Sequence, residues 1–262
     1  SIDDIENKLK KLIRYSDPDQ KKTTLFIWPE GIFTGFNYNE ISQFSNLIKD
    51  SFNDSHLILF GINTINKSSD GYFNSMVVVD NKFKILQQYN KKKLVPFGEF
   101  LPFENFLNKL GLKKITQGHG SFSKGKRQRN FVLNNLNILP LICYEIIFPE
   151  LVQKANNETN LIINISEDGW FGDSIGPHQH FAKAIFRSIE NNSFLVRSAN
   201  KGISAVISNK GEIAKKLNTY ETGSIEMNIP LLKSEYKNKN DLIFFILLFT
   251  YLFIFLIFKN KN

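Results

Sequence analysis

The chain contains one cysteine, Cys143, which follows the apolar run Leu139-Pro140-Leu141-Ile142 and precedes Tyr144-Glu145. Two other reactive groups sit beside strand-like segments. Glu30 closes Leu25-Phe26-Ile27-Trp28-Pro29, and three lysines open the run Lys91-Lys92-Lys93-Leu94-Val95-Pro96-Phe97-Gly98-Glu99. An acid, a lysine and a thiol are the parts required for acyl transfer through a thioester. A thiol attacks a carbonyl as its thiolate, so it needs a base, and Glu30 is the candidate. Attack then places negative charge on the former carbonyl oxygen. An ammonium in a water-poor pocket, together with the backbone N–H that follows the nucleophile, stabilises that charge. Lys91 is the candidate cation, and the Tyr144 amide the candidate second donor. Glu99 or Glu145 is expected to fix the lysine by hydrogen bonds, with Glu145 also available to assist proton transfer. Each residue taken singly has a plainer reading. A lone cysteine after a strand is usually a small buried hydrophobe, three lysines in a row are usually a solvated face, and a glutamate after Trp-Pro can simply end a strand.

The elements that must position these groups alternate between helix and strand patterns. Ile2, Ile5, Leu9, Leu12 and Ile13 have helical spacing. Strands are predicted at Thr24–Trp28 and His56–Ile62, with a helix at Tyr38–Ser51 between them. Ser75–Val79 and Phe83–Gln88 form a hairpin about Asp80-Asn81-Lys82, and Phe131–Leu133 and Asn137–Ile142 another about Asn134-Asn135. Helix Phe148–Ala155, strand Leu161–Ser166 and helix Gln179–Asn191 follow. Strands Ser193–Ser198, Ser204–Ser208 and Gly223–Asn228 complete the pattern, which is that of one layered α/β domain with a mixed sheet.

The composition, 42% apolar and 22% charged over 262 residues, is that of a globular chain with a sizeable core. The net charge of +8 is spread along the sequence. Its densest patch, Lys124-Gly125-Lys126-Arg127-Gln128-Arg129, lacks interleaved aromatic residues, so no nucleic-acid role is expected. One cysteine excludes an internal disulfide and a thiolate-rich zinc site. His178 and His180 form a His-x-His pair with no third ligand at suitable spacing, so they are expected to be structural or pocket-lining, and no metal or cofactor is expected. Trp28, Trp170 and Phe171 have the residue types of a core, although Trp170-Phe171-Gly172 falls on an expected loop after a strand end. Leu242 to Phe258 is an uncharged run of 17 residues, long enough at its lower limit to span a bilayer. Residues 1–229 are therefore expected to be the catalytic domain, 230–241 a linker and 242–258 a transmembrane helix. Because the sequence starts at Ser1 without a signal-like stretch, it is expected to be the latter part of a longer protein.

Taken together, Trp28-Pro29-Glu30, Lys91 within Asn-Lys-x-x-Leu-Val-Pro-Phe-Gly-Glu, and Cys143-Tyr144-Glu145 resemble the Glu–Lys–Cys triad of the nitrilase (carbon–nitrogen hydrolase) superfamily. More narrowly, Leu94 to Pro102, Cys143-Tyr144-Glu145 and Asn164 to Ser174 resemble the catalytic domain of the apolipoprotein N-acyltransferase family, and the continuation Gly176-Pro177-His178-Gln179-His180 and Arg187-Ser188-Ile189-Glu190-Asn191 also fit it. The resemblance selects Lys91 from the three lysines, with Lys93 at a place where superfamily members often carry histidine. It implies a four-layer α/β/β/α sandwich, a phospholipid acyl donor, a lipoprotein N-terminus as acceptor, and a catalytic domain on the periplasmic side of a bacterial inner membrane. Two alternatives use the same residues: a membrane-anchored amidase of the nitrilase type, and a catalytically silent membrane-tethered binding module.

Overall fold

A computed structural model describes residues 2–69, 71–102, 121–126, 130–153, 158–232 and 240–259. Helix α1 (Ile2–Ser16) leads into β1 (Thr24–Ile27), followed by the short helices α2 (Tyr38–Ser42) and α3 (Ser45–Ser51). Strands β2 (His56–Asn66), β3 (Gly71–Val79) and β4 (Ile85–Asn90) complete a four-stranded sheet of order β1-β2-β3-β4. The second half supplies β5 (Phe131–Leu133), β6 (Leu136–Ile142), α4 (Pro149–Gln153), β7 (Leu161–Glu167), α5 (Gly176–Glu190), β8 (Phe194–Asn200), β9 (Ser204–Ile207) and β10 (Ile213–Leu217). These strands form a six-stranded sheet of order β10-β9-β8-β7-β6-β5, with β6, β7 and β8 parallel.

Side-chain alternation assigns the layers, because successive residues of a strand point to opposite faces. On β2, Ile58, Phe60 and Ile62 share a buried cluster with Ile5 and Leu9 of α1, Ile41 of α2 and Ile48 of α3. Leu57 and Leu59 face the other way, into a second cluster with Ile138, Ile142, Ile163 and Ile165 of the second sheet. On the far side of that sheet, Leu139, Leu141, Ile162 and Leu195 pack with Phe181 and Ala184 of α5. The result is a four-layer α/β/β/α sandwich, as the resemblance implied.

Strand direction then gathers the reactive groups. In the first sheet β1 and β2 are parallel, and two antiparallel pairings return β4 to the same direction. The carboxyl ends of β1 and β4, which carry Glu30 and Lys91, therefore open on one edge. In the second sheet the parallel trio β6, β7 and β8 places Cys143, Glu167 and Asn200 along one edge in the same way.

Several boundaries differ from the sequence expectation. The predicted helix Tyr38–Ser51 divides after Ser42, whose hydroxyl donates to the Asn39 carbonyl and competes for a helix acceptor. Phe83 lies in the β3–β4 turn at φ 61°, so β4 starts two residues late. β3 starts four residues early, at Gly71, which brings Asn74 into the sheet. Among the described residues, 223–228 pair with no strand; Ile225, Met227 and Ile229 alternate inward against the cluster between the sheets, so the pattern reports packing rather than a ladder. The last strand is instead β10, whose exposed Lys215 and Lys216 hid it as the edge of the sheet. Residues 154–155 of the predicted helix Phe148–Ala155, Arg127–Arg129 of the basic patch and residues 233–239 of the expected linker lie outside the described residues.

Helix α6 (Asn240–Lys259) holds the long apolar run. Every residue from Leu242 to Lys259 is exposed, and by length and composition the helix is long enough to cross a membrane.

Candidate active site

Lys91 follows β4 and is almost fully buried, at 1% exposure. Its Nζ lies 2.8 Å from Glu99 Oε1 and 3.7 Å from Glu30 Oε1. The loop from Lys91 to Glu99 is folded back on itself, because Glu99 Oε2 accepts from the Val95 N–H at 2.9 Å. A residue that the sequence reading missed binds both acids: the Asn74 amide donates at 2.7 Å to Glu30 Oε1 and at 2.7 Å to Glu99 Oε1. The backbone beside it is also engaged, since the Lys91 N–H donates to the Asn74 carbonyl at 2.8 Å. The signal for Asn74 was its parity on β3. It falls on the same face as Met76 and Val78, which look into the core between the sheets, and an amide there requires polar partners.

Cys143 is the first residue of a 3-10 turn (Cys143–Ile147) at the end of β6 and has φ 48°, in the left-handed region that a residue with a Cβ seldom adopts. The main chain of Glu167, at the end of β7, joins thiol and acid. Its carbonyl lies 4.0 Å from Cys143 Sγ, and its N–H donates at 3.1 Å to Glu30 Oε2. Two glycines make this approach possible. A Cβ on Gly61 of β2 would lie 3.0 Å from both Glu30 Cα and Ile165 Cδ1, and a Cβ on Gly31 would lie 2.2 Å from Glu167 Oε2.

The charges set the resting protonation. Burial alone would lower Lys91, but the Glu99 and Glu30 carboxylates outweigh it and hold the ammonium well above its ordinary range. Burial, with the Glu30 carboxylate beside it, pushes the Cys143 thiol up to about 12 against the pull of Lys91. That shift favours the protonated thiol in the free protein.

Of the expected supports, Glu99 holds the lysine and Glu145 does something else. The buried Glu145 Oε1 accepts from the Tyr89 hydroxyl at 2.7 Å and from the Lys92 and Lys93 N–H groups at 2.7 and 3.0 Å, while Oε2 accepts from the Ile142 N–H at 2.9 Å. It thus braces the lysine loop against the strand that delivers Cys143. Burial raises its carboxyl despite these donors. Tyr144 packs edge-on against Phe148 with centroids 5.0 Å apart. Its N–H belongs to the first turn of the 3-10 segment, where intrahelical acceptors are lacking.

His178 is exposed, whereas His180 is buried beneath Cys143. Among the described residues no group of three or more His, Cys, Asp or Glu side chains gathers to hold a metal ion. Trp28 is in the core at 4% exposure, but Trp170 and Phe171, which have core-like residue types, are 65% and 40% exposed. They occupy a short 3-10 turn (Gly169–Phe171) on the loop after β7, and the Phe171 ring lies 5.5 Å from the buried His180 ring.

Residues 3–235 match the carbon–nitrogen hydrolase family, and the chain belongs to that family. Among curated proteins it is similar to apolipoprotein N-acyltransferases. That of Rhizobium leguminosarum bv. trifolii is 36% identical over 214 residues, which are 80% of this chain and 40% of the relative. That of Rhodopseudomonas palustris is 37% identical over 216 residues, with the same coverage of 80% and 40%. The chain thus spans 40% of the length of these relatives. Among solved structures, an amidase from Nesterenkonia sp. superposes with a TM-score of 0.61 at 15% identity, covering 84% of this chain and 81% of that one. A carbon–nitrogen hydrolase from Helicobacter pylori G27 gives 0.62 at 16% identity, covering 84% and 81%. Both share the fold.

Proposed function

We propose that the chain is the catalytic part of an apolipoprotein N-acyltransferase and works through a thioester on Cys143. The observation that carries this reading is the convergence of a protonated thiol, a buried ammonium and the Glu30 carboxylate at the facing edges of two sheets. In the first step Glu30 takes the Cys143 proton as Sγ adds to the ester carbonyl of a phospholipid. The carbonyl π pair moves to oxygen, where the Lys91 ammonium and the Tyr144 N–H stabilise it. Collapse breaks the ester C–O bond, and the departing lysophospholipid alkoxide takes the proton back from Glu30. In the second step the α-amine of a diacylglyceryl-cysteine at a lipoprotein N-terminus attacks the thioester, Glu30 takes the amine proton, and the departing thiolate recovers that proton from Glu30, restoring the resting thiol. Glu99, Asn74 and Glu145 hold the reacting groups in place.

Two observations support a lipid donor over a small amide. The loops that carry the site also expose Phe97, Trp170, Phe171 and Ile175, an apolar rim suited to acyl chains. The apolar helix α6, read as a transmembrane helix after a linker at 230–241, would tether the domain at residues 1–229 to the membrane in which both substrates reside. We place the domain on the periplasmic side of the bacterial inner membrane, where lipoprotein N-termini are exposed.

Incubation of the full chain with phosphatidylethanolamine in detergent micelles should add one acyl mass at Cys143 by intact-mass spectrometry. A diacylglyceryl-cysteine peptide should then remove it. Cys143→Ala should show no adduct, and Cys143→Ser should turn over poorly. An unmodified Cys143 combined with continuing acyl transfer by the alanine variant would exclude the thioester route. Hydrolysis of small amides without peptide acylation would select the amidase reading instead.

A further inference from the structure

Beneath Cys143 lies a polar network that the steps above do not use. Arg197 on β8, Asp168 after β7 and His180 on α5 are 1%, 1% and 6% exposed. Asp168 Oδ2 accepts from Arg197 Nη2 at 2.8 Å, and Oδ1 lies 3.0 Å from His180 Nδ1 and accepts from the Ser166 hydroxyl at 2.6 Å. The chain of contacts ends on the nucleophile's own backbone, where His180 Nε2 lies 3.1 Å from the Cys143 carbonyl oxygen. A carbonyl only accepts, so Nε2 carries the proton whatever the charge of the ring. A second arm runs from Arg197 Nη1, which donates to Asn164 Oδ1, and the Asn164 Nδ2 donates to the Leu141 main-chain carbonyl at 3.0 Å. The network therefore grips two carbonyls that flank Ile142, whose N–H is already held by Glu145.

Such a network is a poor source of stability. Buried ion pairs seldom outperform apolar side chains of similar volume, and Arg197 Nε has no partner among the described residues. What the network does is over-determine the backbone of a residue held at φ 48°, and strained backbone persists only where its surroundings do so. The Cys143 carbonyl and the Tyr144 N–H are two ends of one peptide group. That group is planar, so a bond that fixes the direction of the C=O also fixes the direction of the N–H. A hydrogen bond accepted at the oxygen further polarises the N–H as a donor.

We infer that His180 is a positioning residue for the oxyanion site: through the Cys143 carbonyl it aims and polarises the Tyr144 N–H, with Asp168 and Arg197 fixing the imidazole. The inference rests on Cys143 being the acylated nucleophile, and it is independent of whether the natural donor is a phospholipid. p-Nitrophenyl butyrate separates the two questions. Its carbonyl carbon accepts Sγ, the π pair becomes the oxyanion, and collapse expels p-nitrophenolate, so the burst of phenolate reads acylation alone. Iodoacetamide alkylates the same sulfur by displacing iodide and develops no oxyanion, so its rate reads the thiol alone.

The test uses the full chain in detergent, labelled with 1-¹³C-cysteine, which marks one carbonyl because the sequence has one cysteine. In His180→Leu the labelled amide band should move to higher wavenumber and the burst rate should fall about tenfold to hundredfold, less than deletion of an oxyanion donor outright costs. Alkylation should stay within about threefold, as expected of a step with no oxyanion to stabilise. His180→Gln, whose amide can reach the position of Nε2, should recover the band and most of the burst rate. In any folded variant the ratio of acylation to alkylation must follow the band. Equal losses in both reactions, or a displaced band with an unchanged ratio, overturns the inference. If His180→Leu loses its circular dichroism spectrum, the glutamine variant decides by the same criterion.

Discussion

Lys91→Met tests the electrostatic core of the site, because methionine keeps most of the side-chain volume and removes the charge. At an effective dielectric constant of about 20, the 2.8 Å and 3.7 Å contacts correspond to about 6 and about 4.5 kcal/mol of attraction for Glu99 and Glu30. Taking a lysine to 1% exposure costs several kcal/mol in the opposite direction, so the folded protein keeps only part of this sum. Removing the cation forfeits the attraction and leaves two carboxylates sharing the Asn74 amide. The expected cost is about 3–5 kcal/mol, the range for breaking one side of a buried ion pair. Glu99→Gln placed on top should return about 1–2 kcal/mol, since an amide at that position no longer repels Glu30. The assay is urea unfolding of the full chain in detergent, followed by circular dichroism, for the wild type, both single variants and the double variant. A cost for Lys91→Met below about 1 kcal/mol, or simple additivity of the two substitutions, would refute the account of a cation held by mutual compensation.

Two further outcomes follow from the same geometry. Gly31→Ala places a Cβ at φ 81° and 2.2 Å from Glu167 Oε2, so it should lose at least about 1–2 kcal/mol from the backbone alone. Because Glu167 must move, and its N–H holds Glu30, the p-nitrophenyl butyrate burst should slow as well; an unchanged melting temperature and burst would show that the contact is not needed. The raised thiol of Cys143 predicts a pH profile with a definite sign. The reactive anion is scarce at neutral pH, so iodoacetamide alkylation should climb about tenfold per pH unit beyond 9 and approach a plateau only near 12. A plateau reached below pH 8 would mean a resting thiolate and would reverse the order of proton transfer given above.

Much of this was legible along the chain, and the reason differs from residue to residue. The buried strands β2 and β6 are apolar runs of consecutive side chains, so their existence could be read directly, whereas which side chain faces which layer could not. The acid, the lysine and the thiol were visible because each stands beside an apolar strand, and the apolar run of α6 because a bilayer-length stretch is local. Asn74, Asp168 and Arg197 were not singled out. A polar residue within an apolar strand looks like a defect until its partners are known, and those partners lie on other strands. Glu145 shows the limit most clearly. Its position two residues after Cys143 suggested a role with the lysine side chain, yet it holds the backbone of the lysine loop.

The sequence alone determined the reactive residue types, the strand and helix pattern and the apolar helix at the C-terminus, because each depends on neighbours within a few residues. Only the tertiary structure decided that β4 returns parallel to β1, that Lys91 is shared between Glu30 and Glu99, and that the peptide after Cys143 is gripped from below by His180. Those facts depend on strand direction and on bonds between residues tens of positions apart, for which no local pattern carries information.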